Sequence, residues 1–311
     1  MKLAFVFPGQ GSQSLGMMNG YRDLPAIRET FSEASEILKQ DLWALVEQGP
    51  ADQLNLTVNT QPLMLAAGVA VLRAWNASGG TKPSLMAGHS LGEYSALVAA
   101  GAIGFAEAVE LVRFRAQCMQ DAVPAGTGAM AAVLGLDDEG VRAACEEAAH
   151  GEEIAEPANY NAPGQVVVAG HKPAVERAVE LAKSKGAKRA MLLPMSVPSH
   201  CSLMKPAADR MRERLSSVAV SKPLTPVLQN ADVVSAESPN DVKEALVRQL
   251  FRPVRWVDTV KAFSANGITH VLECGPGKVL TGLNKRIEAE PSTRPLADKD
   301  SFLESLALLK R

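Results

Sequence analysis

The stretch SLMAGHSLGEYSALVAAGAI, residues 84–103, decides the fold. It opens on a short apolar run, Ser84 to Ala87, that suits a strand, and it closes on a small-residue apolar segment with helical character. Between them stands Gly88-His89-Ser90-Leu91-Gly92, a G-x-S-x-G pattern. A serine at the tip of a sharp strand-to-helix turn is held in strained backbone with its hydroxyl in the open, and glycines on both sides let neighbouring backbone approach. The amide of Leu91 then sits at a helix N-terminus, where free N–H groups and the helix dipole favour a developing oxyanion. Ser90 is therefore the candidate nucleophile.

Working outward, LAFVF at residues 3–7 reads as a strand ending in the turn PGQGSQ. Helical patterns follow over 26–46, 61–75 and 105–119. Strand–helix alternation of this kind predicts an α/β domain with a largely parallel, hydrolase-like sheet. The middle of the chain reads differently. Strands are expected at 128–136, 154–160, 165–170 and 188–193, with helices from Asp137 or Asp138 to about Ala149 and from Pro173 to Lys185. The order β-α-β-β-α-β matches a ferredoxin-like unit. Residues 126–196 are thus expected as a small subdomain inserted in a large one formed by 1–125 and 197–311. The chain returns to α/β patterning in THVLECGPGKVL, residues 269–280, and 288–299 reads as a surface loop.

Composition narrows the function classes. The 311 residues are 47% hydrophobic and 21% charged with a net charge of -2, ordinary for a globular protein and without the basic excess of a nucleic-acid binder. Cys118, Cys145, Cys201 and Cys274 form no CxxC pair, and no Cys/His cluster has zinc spacing, so no metal is expected. The apolar run after Lys2 stops at Pro8, and the stretch 96–106 is about half a membrane span. A cytoplasmic protein with reduced thiols, without membrane or nucleic-acid partners, is the expectation.

A serine hydroxyl needs a base near neutral pH. Of the five histidines, His89 adjoins Ser90 and is expected to point away from it, while His150, His171 and His270 sit near charges, turns or a strand start. His200, in Val197-Pro198-Ser199-His200-Cys201, falls where the small subdomain returns to the large one, a junction suited to catalytic groups. It is expected to titrate near or above neutral.

Eight segments in order carry a family resemblance: FVFPGQGSQ (5–13), TQPL (60–63), GHSLGEYSAL (88–97), VRFRAQCMQ (112–120), YNAPGQVVVAG (160–170), SVPSHCSLMKPAAD (196–209), RQLFRPVRW (248–256) and ECGPGKVL (273–280). Along nearly its full length the chain resembles the malonyl-CoA:acyl-carrier-protein transacylases of bacterial fatty-acid synthesis. The resemblance implies malonyl transfer from malonyl-CoA, a substrate rather than a cofactor, to acyl carrier protein. It implies Ser90 as the acylated nucleophile and His200 as general base and acid. The main-chain carbonyl of Gln249 takes the place of a triad carboxylate, and the amides of Gln10 and Leu91 form the oxyanion hole. Arg115 is implied as the residue that selects malonyl, its planar fork suiting a carboxylate in a way lysine cannot match. It is expected to lie too far from the thioester to assist bond breaking, and Arg113 is expected to be a surface residue. The form VPSH favours malonyl over methylmalonyl.

Rival readings remain. A serine thioesterase or hydrolase would share nucleophile and base but release the acyl group to water. An acyltransferase of a polyketide pathway would differ only in the carrier it serves. A non-catalytic carrier-binding module would need neither Ser90 nor His200. A dinucleotide site at Gly9-x-Gly11-x-x-Ser14 lacks the third glycine. An acidic carrier needs a local basic face, for which Lys183, Lys185, Lys188 and Arg189 are one choice and Lys278, Lys285 and Arg286 another.

Overall fold

The computed structural model describes residues 1–195 and 197–309. Among the described residues nine strands build two sheets: β1 Leu3–Phe7, β2 Leu85–Gly88, β3 Gly128–Leu134, β4 Ala155–Ala162, β5 Gln165–His171, β6 Arg189–Leu192, β7 Val227–Leu228, β8 His270–Cys274 and β9 Ser292–Leu296. The larger sheet is parallel throughout, in the order β7-β2-β1-β8-β9. The smaller is antiparallel, in the order β4-β5-β3-β6. With helices Asp138–Ala148 and Lys172–Ser184 as crossovers, this is the expected ferredoxin-like unit.

The alternation of side chains along β1 shows why the parallel sheet needs both faces covered. Leu3, Phe5 and Phe7 enter one apolar core, formed with helices Thr57–Ala77 and Phe105–Asp121. Ala4 and Val6 enter a second, with Trp256, Val260, Phe263 and Leu283. A parallel strand buried on both sides therefore reads as an unbroken apolar run. Trp75 packs edge-on between Phe5 and Phe302, with ring centroids 5.7 Å and 5.6 Å away.

The small sheet also has two buried faces. Ala131, Val133, Val166 and Val168 pack under its helices. Met130, Ala158, Val167 and Ala169 pack on the other side against Cys201. That second face is how the inserted sheet reaches the loop carrying His200. The outer edge of β4 is closed by Val254, whose amide and carbonyl pair with Ala158 and Tyr160 at 2.9 Å.

Three expectations are corrected. The helix read over 26–46 is two helices, Pro25–Leu38 and Leu42–Gln48. Lys39 turns left-handed (φ 52°), and the Asp41 side chain caps the second helix by accepting from the amide of Ala44. The surface loop read over 288–299 holds β9, whose STRPL sequence is an edge strand burying only Thr293 and Leu296 and so lacks an apolar signature. The helix read over 61–75 starts earlier, at Thr57, and carries Pro62 inside it.

Candidate active site

Ser90 sits between the end of β2 and the helix Gly92–Ala99 with φ at 52°, the left-handed region that costs an ordinary side chain energy. The flanking glycines are required by contact. A Cβ on Gly88 would lie 1.9 Å from the backbone of Gly92, and one on Gly92 would lie 2.0 Å from the carbonyl oxygen of Phe7. Asn230, just past β7, clamps this elbow. Its Oδ1 accepts from the Ser90 amide at 2.7 Å, and its Nδ2 donates to the Gly88 carbonyl at 2.6 Å.

His200, also at positive φ (62°), approaches from the loop after the small sheet. Its Nε2 is 2.7 Å from Ser90 Oγ, and its Nδ1 is 2.8 Å from the carbonyl oxygen of Gln249. A carbonyl only accepts, so the proton resides on Nδ1 and the lone pair of Nε2 faces the serine hydroxyl. Burial, and then the Arg115 cation, push the His200 pKa down to about 3. This runs against the expectation of a base titrating near or above neutral: the neutral carbonyl of Gln249 offsets the loss of solvent less than a carboxylate would.

Arg115, on the helix Phe105–Asp121, is 1% exposed. Its Nη1 donates to Gln61 Oε1 at 2.8 Å and its Nη2 to Gln249 Oε1 at 2.9 Å. Nη2 also lies 3.4 Å from Ser90 Oγ, nearer the candidate nucleophile than the expectation of a remote selector allowed. The helix brings Arg115 round to Ser90, whereas Arg113 turns to Gln40 and is half-buried, not a free surface residue. Arg115 forms no ion pair with Asp or Glu among the described residues.

Gln10 and Leu91 line the same cavity of about 300 Å³ as Ser90, His200 and Arg115. Their main-chain amides donate to no carbonyl or side chain among the described residues. Met119, Met130, Val167, Leu193 and Met195 supply its apolar wall. His89 reaches this cavity but its Nε2 pairs with Asn161 Oδ1 at 2.8 Å, away from Ser90 Oγ.

Reading the sequence missed three polar supports. Gln61 and Glu93 lie within the quoted segments TQPL and GHSLGEYSAL, and a glutamate among buried small residues was the available signal. Asn230 follows a two-residue strand and had none. Glu93 Oε2 accepts from the Asn230 amide at 2.9 Å and from Gln249 Nε2 at 3.1 Å. Burial pushes its pKa up to about 7. Of the basic residues considered for carrier docking, Lys183 and Lys185 are paired with Glu180 and Glu147. Among the described residues no cluster of three His, Cys, Asp or Glu could hold a metal ion, and no helix is long and apolar enough to cross a membrane.

Comparison with known proteins places this geometry in context. Residues 4–290 match the acyl transferase domain family. The malonyl CoA-acyl carrier protein transacylase of Escherichia coli (strain K12) is 53% identical over 308 residues, covering 99% of each chain. The solved acyl-carrier-protein S-malonyltransferase of Burkholderia pseudomallei 1710b superposes with a TM-score of 0.97 at 56% identity, covering 99% of this chain and 100% of that one. A malonyl-transacylase solved in complex with a type II PKS acyl-carrier protein gives a TM-score of 0.97 at 52% identity, with 99% and 100% covered.

Proposed function

This chain belongs to the acyl transferase family, and we propose that it carries malonyl from malonyl-CoA to the phosphopantetheine thiol of acyl carrier protein through an ester on Ser90, supplying fatty-acid elongation. The observation that carries this is one atom with two neighbours: Ser90 Oγ lies 2.7 Å from a histidine base and 3.4 Å from a buried arginine that no carboxylate of the described residues pairs.

In the first half-reaction Ser90 Oγ attacks the thioester carbonyl while His200 Nε2 takes its proton. The amides of Gln10 and Leu91 stabilise the oxyanion. Collapse breaks the C–S bond, and His200 returns the proton to the coenzyme A sulfur. The carrier thiol then repeats the sequence in reverse, losing its proton to His200 and regenerating the serine hydroxyl. The Gln249 carbonyl orients His200 throughout, and Arg115 receives the free carboxylate that distinguishes malonyl from acetyl. No cofactor enters these steps.

In this reading residues 1–125 and 197–311 form the catalytic unit, and 126–196 an inserted unit that walls the acyl cavity with Met130 and Val167. A cytoplasmic location accords with four cysteines that are all free thiols.

The test is the intact mass of the protein after incubation with malonyl-CoA alone, followed by peptide mapping and then addition of carrier. A lasting malonyl adduct on Ser90 that moves to the carrier supports the proposal. An adduct elsewhere, or free malonate released without carrier, overturns it, the latter in favour of a hydrolase. Carriers of fatty-acid and polyketide type, compared in the second step, separate the two pathways.

A further inference from the structure

Glu93 is fully buried behind Ser90, to whose carbonyl its main-chain amide donates at 3.1 Å, and its carboxyl group faces Arg115 only through the Gln249 side chain. Only one of its oxygens is used. Oε2 takes hydrogen bonds from Asn230 and Gln249, and Oε1 has no partner among the described residues. The Gln249 amide lies between this carboxyl group and the buried guanidinium: its Nε2 donates to Glu93 at 3.1 Å and to the Ser90 carbonyl at 2.9 Å, and its Oε1 accepts from Arg115 at 2.9 Å. Only one orientation of this amide serves all three contacts. A flip would set NH2 against guanidinium, and oxygen against both an oxygen of Glu93 and a carbonyl.

We propose that Glu93 is a positioning residue for acyl selection, holding the Gln249 amide in the one orientation that fixes Arg115 to receive the substrate carboxylate. The interposed amide explains how an acidic residue can serve an anion site. A carboxylate set directly on Arg115 would occupy the fork that malonyl requires, whereas the amide orders the guanidinium and leaves its remaining donors free. What Glu93 must supply is an acceptor oxygen, because both of its neighbours are donors. Deleting an acceptor from a buried network leaves those donors unsatisfied, and the network loses its unique arrangement.

The proposal rests on the malonyl-transfer function proposed above. It is tested by the ratio of kcat/KM for malonyl-CoA to that for acetyl-CoA in wild type, Glu93→Met, Glu93→Gln and Gln249→Met, each checked for native circular dichroism. Glu93→Met should lower the ratio about tenfold or more, the scale of a lost hydrogen bond to a charged group. Glu93→Gln, which still offers an acceptor oxygen to both donors, should restore it to within about twofold of wild type. A purely structural role would depress both substrates together and leave the ratio unmoved, and that result overturns the proposal. So does a Glu93→Gln ratio as low as that of Glu93→Met. Should Glu93→Met not fold, Gln249→Met decides: it cuts the relay while its main-chain carbonyl still faces His200, and an unchanged ratio there overturns the proposal. Wild type without malonyl transfer would instead remove the functional reading, and this proposal with it.

Discussion

The His200 imidazole donates to the main-chain carbonyl of Gln249 at 2.8 Å, while the side-chain oxygen of the same Gln249 accepts from Arg115 at 2.9 Å. The proposed base and the proposed acyl selector therefore hang on one residue of the helix Pro239–Phe251, and neither is backed directly by a carboxylate among the described residues. A shift of this helix would disturb proton transfer and selection together.

The neutral backing has a consequence for pH. With its pKa pushed down to about 3, His200 is in its basic form throughout the neutral range. The acid limb of kcat/KM should therefore be absent near 6.5, the ordinary value for histidine. The check is serine acylation by acetyl-CoA, which has no free carboxylate to complicate the profile, followed from pH 5 to 8. A limb near 6.5 that disappears in His200→Ala would show that the base titrates normally.

Arg115 contributes to that depression and, held by Gln61 and Gln249, is the proposed partner of the malonyl carboxylate. Arg115→Ala should lower malonyl kcat/KM by about 2–4 kcal/mol, the range for charged hydrogen bonds and broken buried pairs. Acetyl transfer should fall far less. Arg115→Lys should recover malonyl transfer in part, since a point charge lacks the fork. Removing the cation should also raise the His200 pKa and bring an acid limb up toward neutrality in acetyl transfer. Equal losses for the two substrates would assign Arg115 to the fold or to the shared coenzyme portion.

Asn230 offers a contrast, because its side chain serves the elbow alone, while the bond to Glu93 comes from its main-chain amide and survives substitution. It satisfies the Ser90 amide and the Gly88 carbonyl at a residue held at positive φ. Asn230→Ala should cost about 1–3 kcal/mol of stability, the penalty for unsatisfied buried groups. It should slow malonyl and acetyl transfer by the same factor, with Tm and both kcat values as the readout. A change in selectivity would mean that the elbow and the Arg115 site are not separable in this way.

The chemistry was legible in the sequence where a local motif imposes it. G-x-S-x-G places Ser90 because a strand–turn–helix with two close backbone approaches tolerates little else, and the β-α-β-β-α-β order gives the small sheet from period changes alone. The resemblance, not periodicity, singled out Arg115 and the Gln249 carbonyl: a helical arginine and a main-chain oxygen carry no pattern of their own. What escaped was long-range. Asn230 meets Ser90 across 140 residues and Gln249 meets Glu93 across 156, so these contacts exist only once the sheets are assembled. The strand β9 escaped because an edge strand with two buried residues hardly differs from a loop.

Glu93 should also leave a signature in stability. Its pKa in the folded chain is raised to about 7 by burial, against 4.5 for the free side chain. Below 4.5 the group is protonated in both folded and unfolded chains, so its contribution to stability is fully present. As pH rises from there to 7, the unfolded chain gives up the proton while the folded chain retains it, and stability is lost through linkage. The loss levels off above 7, once the folded carboxyl also ionises. Each unit of displacement corresponds to about 1.4 kcal/mol, so the full effect is on the order of 3 kcal/mol. Glu93→Gln cannot titrate and escapes this term while still offering an acceptor to Asn230 and Gln249. Its Tm relative to wild type should therefore climb between pH 4.5 and 7 and then hold steady. Denaturation of the two proteins across that range measures the difference directly, since every other titrating group is common to both. A constant offset would mean that Glu93 ionises at its ordinary value and that solvent or an unrecognised donor reaches Oε1.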